Sequence, residues 1–91
     1  MKYRSRTDII AMILQAATGG ATKTRIMYSA YLSYAQVKEY LSFLIERNLI
    51  WYEEGSGLYK LSDRGMQLLR AYEGISEMIT LDGQKINNPF Q

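Results

Sequence analysis

The pattern of apolar positions near the start of the chain indicates a helix that is surrounded by the rest of the protein. Between residues 9 and 17 the apolar side chains cover nearly the whole circumference of a helix, which is typical of a helix enclosed by its neighbours. Thr7 suits the N-cap, and Asp8 suits the positive end of the helix dipole. The Gly19–Gly20 pair follows, with one glycine expected in the left-handed conformation. We therefore predict a central core helix over residues 8–17.

A second, shorter apolar face lies between residues 23 and 30, where Thr22 can cap a helix. Its apolar side comprises Ile26, Met27 and Ala30. Arg25 and Tyr28 fall on the opposite side. The pattern predicts a short amphipathic helix with a polar outer surface.

Two local signals mark the start of a third helix. Ser33 is followed three residues later by Gln36, the spacing of a capping box, in which side-chain and backbone groups bond reciprocally. Leu32 and Val37 occupy the positions of a hydrophobic staple, which fixes the angle at which the chain enters the helix. We predict a helix over residues 34–47. Because only a short turn separates it from the preceding helix, the pair forms a helix-turn-helix, the unit that places its second helix in a DNA major groove.

Two short apolar runs follow, and Asn48 separates them from the helix-turn-helix. Residues 49–52 and 58–61 are rich in aromatic and branched side chains. The sequence EEGSG between them contains two glycines, which suits the loop of a β-hairpin. Two strands after a helix-turn-helix make a wing.

A last helix is predicted over residues 63–80, with Ser62 as its N-cap and the sequence LDG at 81–83 as its end. The predicted fold class is mainly α with a small β-hairpin (α+β), a winged helix-turn-helix with an added C-terminal helix. Residues 7–62 would form the winged helix-turn-helix domain. Residues 63–80 would close the core and form a dimer, and residues 81–91 would be an extended tail.

Apolar residues on this last helix form a seam longer than one protomer needs. Leu68, Tyr72, Ile75 and Ile79 repeat at spacings of four, three and four. The first half, near Met66 and Leu69, closes the core, but the second half would be an exposed apolar cluster, which marks an interface. We predict a homodimer, with an interface formed by Tyr72, Ile75, Met78 and Ile79. The alternative is a monomer in which tail residues Ile86 and Phe90 fold back over the cluster.

The distribution of charge is more informative than its total of +2. Residues 1–38 contain six Lys and Arg against one Asp, a balance of +5, which leaves −3 for residues 39–91. Such asymmetry is expected of a surface that meets a polyanion. The initial MKYRSR is a basic arm, which could either contribute to that surface or be a disordered terminus that aids solubility.

Composition excludes several other classes of protein. The chain has no Cys and no His, which excludes disulfide frameworks, zinc fingers and Ser-His-Asp triads. Glu53 and Glu54 are adjacent on a strand and point to opposite faces, so they cannot flank one substrate. No apolar run approaches the length of a membrane span, and the N-terminus lacks the core of a signal peptide. We expect a cytoplasmic protein that is not an enzyme and has no metal or other cofactor.

The run KTRIMYSAYLSYAQVKEYLSFLIERNLI, followed by a short hairpin and LSDRG, resembles the small archaeal winged-helix DNA-binding proteins, including the chromatin-associated type. The resemblance covers roughly residues 7–72. It implies a winged-helix fold, double-stranded DNA as the ligand, and a role in transcription or chromatin organisation. It also implies a homodimer built by the C-terminal helix.

Helical geometry separates the core-facing residues of the third helix from those that could contact DNA. At about 100° per residue, one face carries Val37, Leu41, Leu44 and Ile45. Ala35, Lys38, Glu39, Ser42 and Glu46 point away from it. Lys38 and Ser42 could contact a base edge or a phosphate, and Glu39 could accept from cytosine N4. The other candidates would contact phosphates. The predicted DNA-binding residues are Lys23, Arg25, Tyr31, Ser33, Tyr34, Gln36, Lys38, Glu39, Ser42, Ser56 and Lys60, with Tyr28 as a further neutral phosphate partner.

A second function remains open, a protein-protein interaction module, because winged helices also serve as assembly scaffolds. Its main support is the wing, which carries Glu53 and Glu54 rather than a run of Lys and Arg.

Overall fold

Four helices and one β-hairpin make up the computed structural model, which describes the backbone of residues 4–87 and the side chains of residues 4–79. The elements in chain order are α1 (Arg6–Ala17), α2 (Lys23–Ser29), α3 (Tyr34–Glu46), β1 (Ile50–Glu53), β2 (Leu58–Leu61) and α4 (Asp63–Asn87). This confirms the predicted fold class.

The first helix begins earlier than predicted, because its N-cap is Ser5 and not Thr7. The Ser5 hydroxyl accepts from the Asp8 amide at 3.0 Å, and the Asp8 carboxylate accepts from the Ser5 amide at 3.1 Å. Ser5 and Asp8 thus form a reciprocal capping box, whereas Thr7 is followed three residues later by Ile10, which cannot return a hydrogen bond. At the other end, both glycines of the Gly19–Gly20 pair have positive φ, whereas only one was predicted to.

The core lies around α1. Ile13, Leu14 and Ala17 are fully buried, and α1 packs against α2, α4 and β2. The other helices, β1 and the connecting segments complete the buried core with Ala21, Ile26, Ala30, Leu32, Val37, Leu41, Leu44, Leu49, Ile50 and Leu69. From β2, the partly buried Tyr59 and Leu61 pack against it. The prediction of a central, enclosed first helix is confirmed.

The helix-turn-helix forms as its caps predict. The Thr22 hydroxyl accepts from the Arg25 amide at 3.1 Å and begins α2. Ser33 and Gln36 form the predicted capping box at the start of α3. The turn between the helices places Tyr31 in the left-handed region, with φ +55°.

The prediction that Ile45 faces the core is wrong, since its side chain is 40% exposed. The buried stripe of α3 consists of Val37, Leu41 and Leu44. Ile45 follows Leu44 and is therefore about 100° around the helix from it. Tyr40 packs against the opposite edge of the stripe.

The hairpin pairs β1 with β2 in antiparallel register, with Tyr52 opposite Tyr59. On the side of β2 away from β1, Tyr59 exchanges two backbone hydrogen bonds with Ala21, at 2.8 and 3.0 Å. These bonds fix the wing to the segment between α1 and α2, so that β1 is the outer strand.

The last helix begins at the predicted cap but ends later than predicted. The Ser62 hydroxyl accepts from the Gly65 amide at 2.9 Å and donates to the Asn48 carbonyl at 2.6 Å. The helix continues through residues 81–83 to Asn87, because a glycine inside a helix costs only about 1 kcal/mol relative to Ala. Residues 81–87 are therefore helical rather than an extended tail, and they include Ile86. Phe90 lies outside the described residues.

Within the described part of the chain, none of the helices combines the length and the apolar character that a membrane span requires.

Candidate nucleic-acid interface

Two lysines from different helices meet over one exposed tyrosine at the start of α3. Tyr34 is the first residue of α3, and its side chain is 58% exposed. The Lys23 ammonium lies 4.7 Å from the centroid of its ring and 3.4 Å from its hydroxyl. The Lys38 ammonium lies 5.6 Å from the same centroid. Both distances suit a cation–π interaction, so the ring favours the placement of two positive charges beside it. We call Lys23, Tyr34 and Lys38 the Tyr34 cluster.

The capping residues beside this cluster are already partly engaged. The Ser33 hydroxyl accepts from the Gln36 amide at 3.1 Å, and the Gln36 Oε1 accepts from the Ser33 amide at 2.9 Å. The proton of the Ser33 hydroxyl and the Nε2 donors of Gln36 are the groups left for an external acceptor. Both predicted phosphate partners thus present donors on the exposed side.

The outer face of α3 is exposed along its length. Lys38, Glu39, Ser42 and Glu46 are all solvent-exposed. Together with Arg6 and Phe43, they line one open depression. The predicted base-contacting residues Lys38, Glu39 and Ser42 are therefore on one surface.

Arg6 adds a positive charge to this surface that the sequence analysis did not assign. Its guanidinium lies 4.7 Å from the ring centroid of Phe43 and 5.5 Å from that of Tyr40. Arg47 lies over the same Phe43 ring, at 4.1 Å. The sequence signal that could have predicted this position of Arg6 is Ser5 as the N-cap. A helix that begins at Arg6 places the Arg6 side chain beside α3.

The remaining candidates of the helix-turn-helix are exposed on α2 and the turn. Arg25 and Tyr28 lie on the outer side of α2, and Tyr31 is 76% exposed in the turn. Arg4, which the sequence analysis also left unassigned, contacts this turn from the segment before α1.

On the wing, the two predicted DNA contacts are bound to a carboxylate of the wing itself. The Ser56 hydroxyl donates to Oε1 of Glu53 at 2.5 Å, and the Lys60 ammonium lies 3.1 Å from the same oxygen. The hydrogen bond from Ser56, followed by that from Lys60, lowers the pKa of the Glu53 carboxyl. Lys60 is therefore paired with a carboxylate of the same hairpin.

The four predicted interface residues of α4 divide into two kinds. Ile75, Met78 and Ile79 are 60–65% exposed, and we call them the α4 apolar patch. Tyr72 is half-buried, and its hydroxyl donates to Asp8 of α1 at 2.7 Å. Tyr72 therefore already contacts α1 of its own chain.

Comparisons with known proteins agree on the fold. No curated protein matches the chain. Among solved structures, the chain is similar to Sso10a-2, a DNA-binding protein from Sulfolobus solfataricus, with a TM-score of 0.67. That match covers 97% of this chain and 98% of the other at 21% sequence identity, which shows a shared fold. The winged helix-turn-helix family profile matches residues 3–80. The chain therefore belongs to the winged helix-turn-helix family.

Proposed function

We propose that this protein binds double-stranded DNA, with α3 in the major groove. The observation that carries the proposal is the Tyr34 cluster, which brings two positive charges together where a recognition helix enters the groove. Sso10a-2, which shares the fold over nearly its whole length, is itself a DNA-binding protein.

The positions of the positive charges favour a polyanionic ligand. Lys23 and Arg25 come from α2, Lys38 from α3 and Arg6 from the first turn of α1. Phosphate contacts supply most of the affinity of such an interface and set its register on the duplex. Side chains already held against aromatic rings lose less conformational freedom on binding than free lysines and arginines do.

The residues divide by role. Lys23 and Arg25 would contact phosphates, with Tyr28, Tyr31, Ser33, Tyr34 and Gln36 as neutral donors. Lys38 and Ser42 would reach base edges, and Glu39 could accept from the amino group of cytosine. Glu46 lies further along α3 and would face phosphate repulsion. The role in the cell that fits this assignment is transcriptional regulation or chromatin organisation.

We also propose that the protein acts as a homodimer joined through the α4 apolar patch. A helix of 25 residues is about 37 Å long, and its distal half exposes Ile75, Met78 and Ile79 together. Two protomers joined there would present two copies of α3 to one duplex, which raises the effective concentration of the second contact.

A protein-interaction module is the second candidate, and a specific feature of the wing favours it. Trp51 and Tyr52 are each nearly half exposed on the outer strand β1, and exposed aromatic residues are enriched at protein interfaces. The nearby Lys60 is neutralised by Glu53, so this surface offers little attraction to phosphate.

The test of the DNA proposal compares three single substitutions on binding to a randomised duplex library. Arg25→Ala should weaken binding to all sequences about equally, because a phosphate contact carries no base information. Lys38→Ala should weaken binding and also flatten any sequence preference. Arg70→Ala is the matched control, since it removes one exposed positive charge from α4. An unchanged sequence profile for Lys38→Ala would refute the groove assignment. Equal losses of affinity in all three variants would show that binding depends only on the net charge of the protein.

A further inference from the structure

Arg4 connects the segment before α1 to the turn of the helix-turn-helix. Its Nη2 donates to the carbonyl oxygen of Tyr31 at 3.1 Å, and its Nη1 donates to the carbonyl oxygen of Ala30. Nη1 also lies 3.2 Å from Sδ of Met12 on α1. The guanidinium carbon is 5.8 Å from the ring centroid of Tyr31. One half-buried side chain thus contacts α1, the end of α2 and the turn.

The two carbonyl groups that Arg4 contacts bracket a strained residue. Tyr31 has φ +55°, a conformation that costs non-glycine residues about 1 kcal/mol or more and persists when surrounding contacts hold it. The φ and ψ angles of Tyr31 lie between the peptide groups that contain these two oxygens. A planar guanidinium bonded to both oxygens therefore restrains both angles.

This turn sets the geometry of the candidate interface. It determines how α3 is placed relative to α2, and so how Lys23 of α2 meets Tyr34 and Lys38 of α3. It also places the exposed Tyr31 ring beside the start of α3. A loosened turn would disperse the Tyr34 cluster without removing any of its charges.

We propose that Arg4 is a positioning residue of the DNA-binding surface, which holds the turn and Tyr31 in the binding geometry and does not itself contact phosphate. This inference rests on the proposed DNA-binding function. Lysine could not replace arginine in this role, because a single ammonium lacks the rigid, forked donors that reach two carbonyls at once.

The salt dependence of binding distinguishes positioning from a direct phosphate contact. A residue that contacts a phosphate releases a counterion, so its loss makes the log–log slope of affinity against salt shallower by about 0.9. A positioning residue lowers the affinity at every salt concentration by the same factor. If the turn keeps its binding geometry only about one fifth of the time without Arg4, the apparent affinity falls about fivefold.

The experiment uses the full chain with Arg4→Lys, Arg4→Gln and the control Arg70→Gln. Duplex DNA binding is measured over a salt series, and amide hydrogen exchange is measured at Tyr31 and Leu32, whose amides bond to carbonyls of α2. We expect both Arg4 variants to bind about fivefold more weakly with an unchanged slope. Their Tyr31 and Leu32 amides should exchange faster, while the amide of Leu14 in α1 keeps wild-type protection.

A second pair of variants separates the local role from general loss of stability. Tyr31→Gly removes the strain, because glycine adopts positive φ at little cost. In that background Arg4→Lys should change affinity much less than it does in the wild type. An equal loss in both backgrounds would show that Arg4 acts elsewhere.

Three results would overturn the inference. Wild-type affinity for Arg4→Lys, with a shallower slope for Arg4→Gln, would identify a direct phosphate contact. Unchanged exchange at Tyr31 and Leu32 would show that Arg4 does not hold the turn. If the wild type does not bind DNA, the proposed function fails and the positioning role fails with it, while the exchange measurement still decides whether Arg4 restrains the turn.

Discussion

The hydroxyl of Tyr72 donates a 2.7 Å hydrogen bond to the Asp8 carboxylate and so joins α4 to the first turn of α1. The other oxygen of that carboxylate accepts from the amide of Ser5, which caps α1. Asp8 therefore both completes the cap of the central helix and anchors the helix that closes the core. The two contacts couple the start of the domain to its last helix.

This pair predicts how stability depends on pH. The Tyr72 hydrogen bond, followed by the bond from the Ser5 amide, lowers the pKa of Asp8 below its ordinary value of 3.8. The unfolded chain therefore takes up the proton first as the pH falls, so the contribution of Asp8 is present above pH 3.8 and is lost as the pH drops through the folded pKa. The Asp8 bond and burial raise the pKa of Tyr72 above 10.0. Its contribution is therefore present below pH 10.0 and is lost as the pH rises through the raised value.

Tyr72→Phe should remove the largest single cause of the lowered Asp8 pKa. We expect its urea midpoint to fall less steeply than that of the wild type below pH 3.8, because Asp8 then titrates closer to its unfolded value. Tyr28→Phe, at an exposed tyrosine, is the control and should follow the wild-type curve. If the urea midpoints of Tyr72→Phe and the wild type fall equally steeply at acid pH, the Tyr72 bond does not lower the pKa of Asp8.

The first turn of α4 packs so closely against the backbone of Leu49 that only a glycine fits at position 65. A Cβ on Gly65 would lie 2.0 Å from the carbonyl oxygen of Leu49. We expect Gly65→Ala to lower the free energy of unfolding by about 2–3 kcal/mol, since backbone must move. Gly74→Ala, in the same helix with no atom near its added Cβ, should instead raise it by up to about 1 kcal/mol. Equal effects of the two changes in chemical denaturation would disprove the close contact.

The wing offers a test of how near β1 and β2 lie to DNA. Glu53→Gln removes a negative charge and breaks the ion pair with Lys60, while its amide oxygen still accepts from Ser56. Glu54→Gln removes one charge alone. If the wing lies beside the phosphate backbone, Glu53→Gln should tighten non-specific duplex binding more than Glu54→Gln does. Unchanged affinity in both variants would place the wing away from the DNA.

The proposed dimer is tested by Ile75→Asp combined with Ile79→Asp. Light scattering over a dilution series should give about twice the chain mass for the wild type and the single mass for the variant, which should remain folded by circular dichroism. Gln67→Asp with Ala71→Asp adds the same charges at exposed positions of α4 outside the patch and should remain dimeric. A monomeric wild type at tens of micromolar would rule the dimer out.

Features set by neighbouring residues could be predicted from the sequence. The caps Thr22 and Ser33 and the turn depend on residues a few positions apart, and they formed where the pattern placed them. The hairpin formed with its second strand as predicted and its first strand one residue later, at Ile50–Glu53. The start of α1 was missed because Thr7 competed with Ser5, and Ser5 prevailed through its reciprocal bond with Asp8. The end of α4 was missed because the sequence LDG at 81–83 was interpreted as a stop signal, although each glycine inside a helix costs only about 1 kcal/mol relative to Ala.

The parts of the candidate site that the sequence could not predict depend on contacts between distant segments. Arg6 reaches Phe43, and Arg4 reaches Tyr31, across tens of residues that no local spacing relates. The pairing of Lys60 with Glu53 needed the hairpin register, in which Lys60 lies opposite Trp51 and diagonal to Glu53. Lys60 had been predicted to contact DNA only because it is a lysine on the wing.

The most direct test of the account is the affinity of the wild-type protein for duplex DNA over a series of salt concentrations. If each protomer neutralises about three phosphates, the log–log slope should be roughly −2.7 per protomer. That slope would support an electrostatic DNA contact that neutralises about three phosphates per protomer. A flat salt response, or no binding at about 50 mM salt, would contradict DNA binding by this surface.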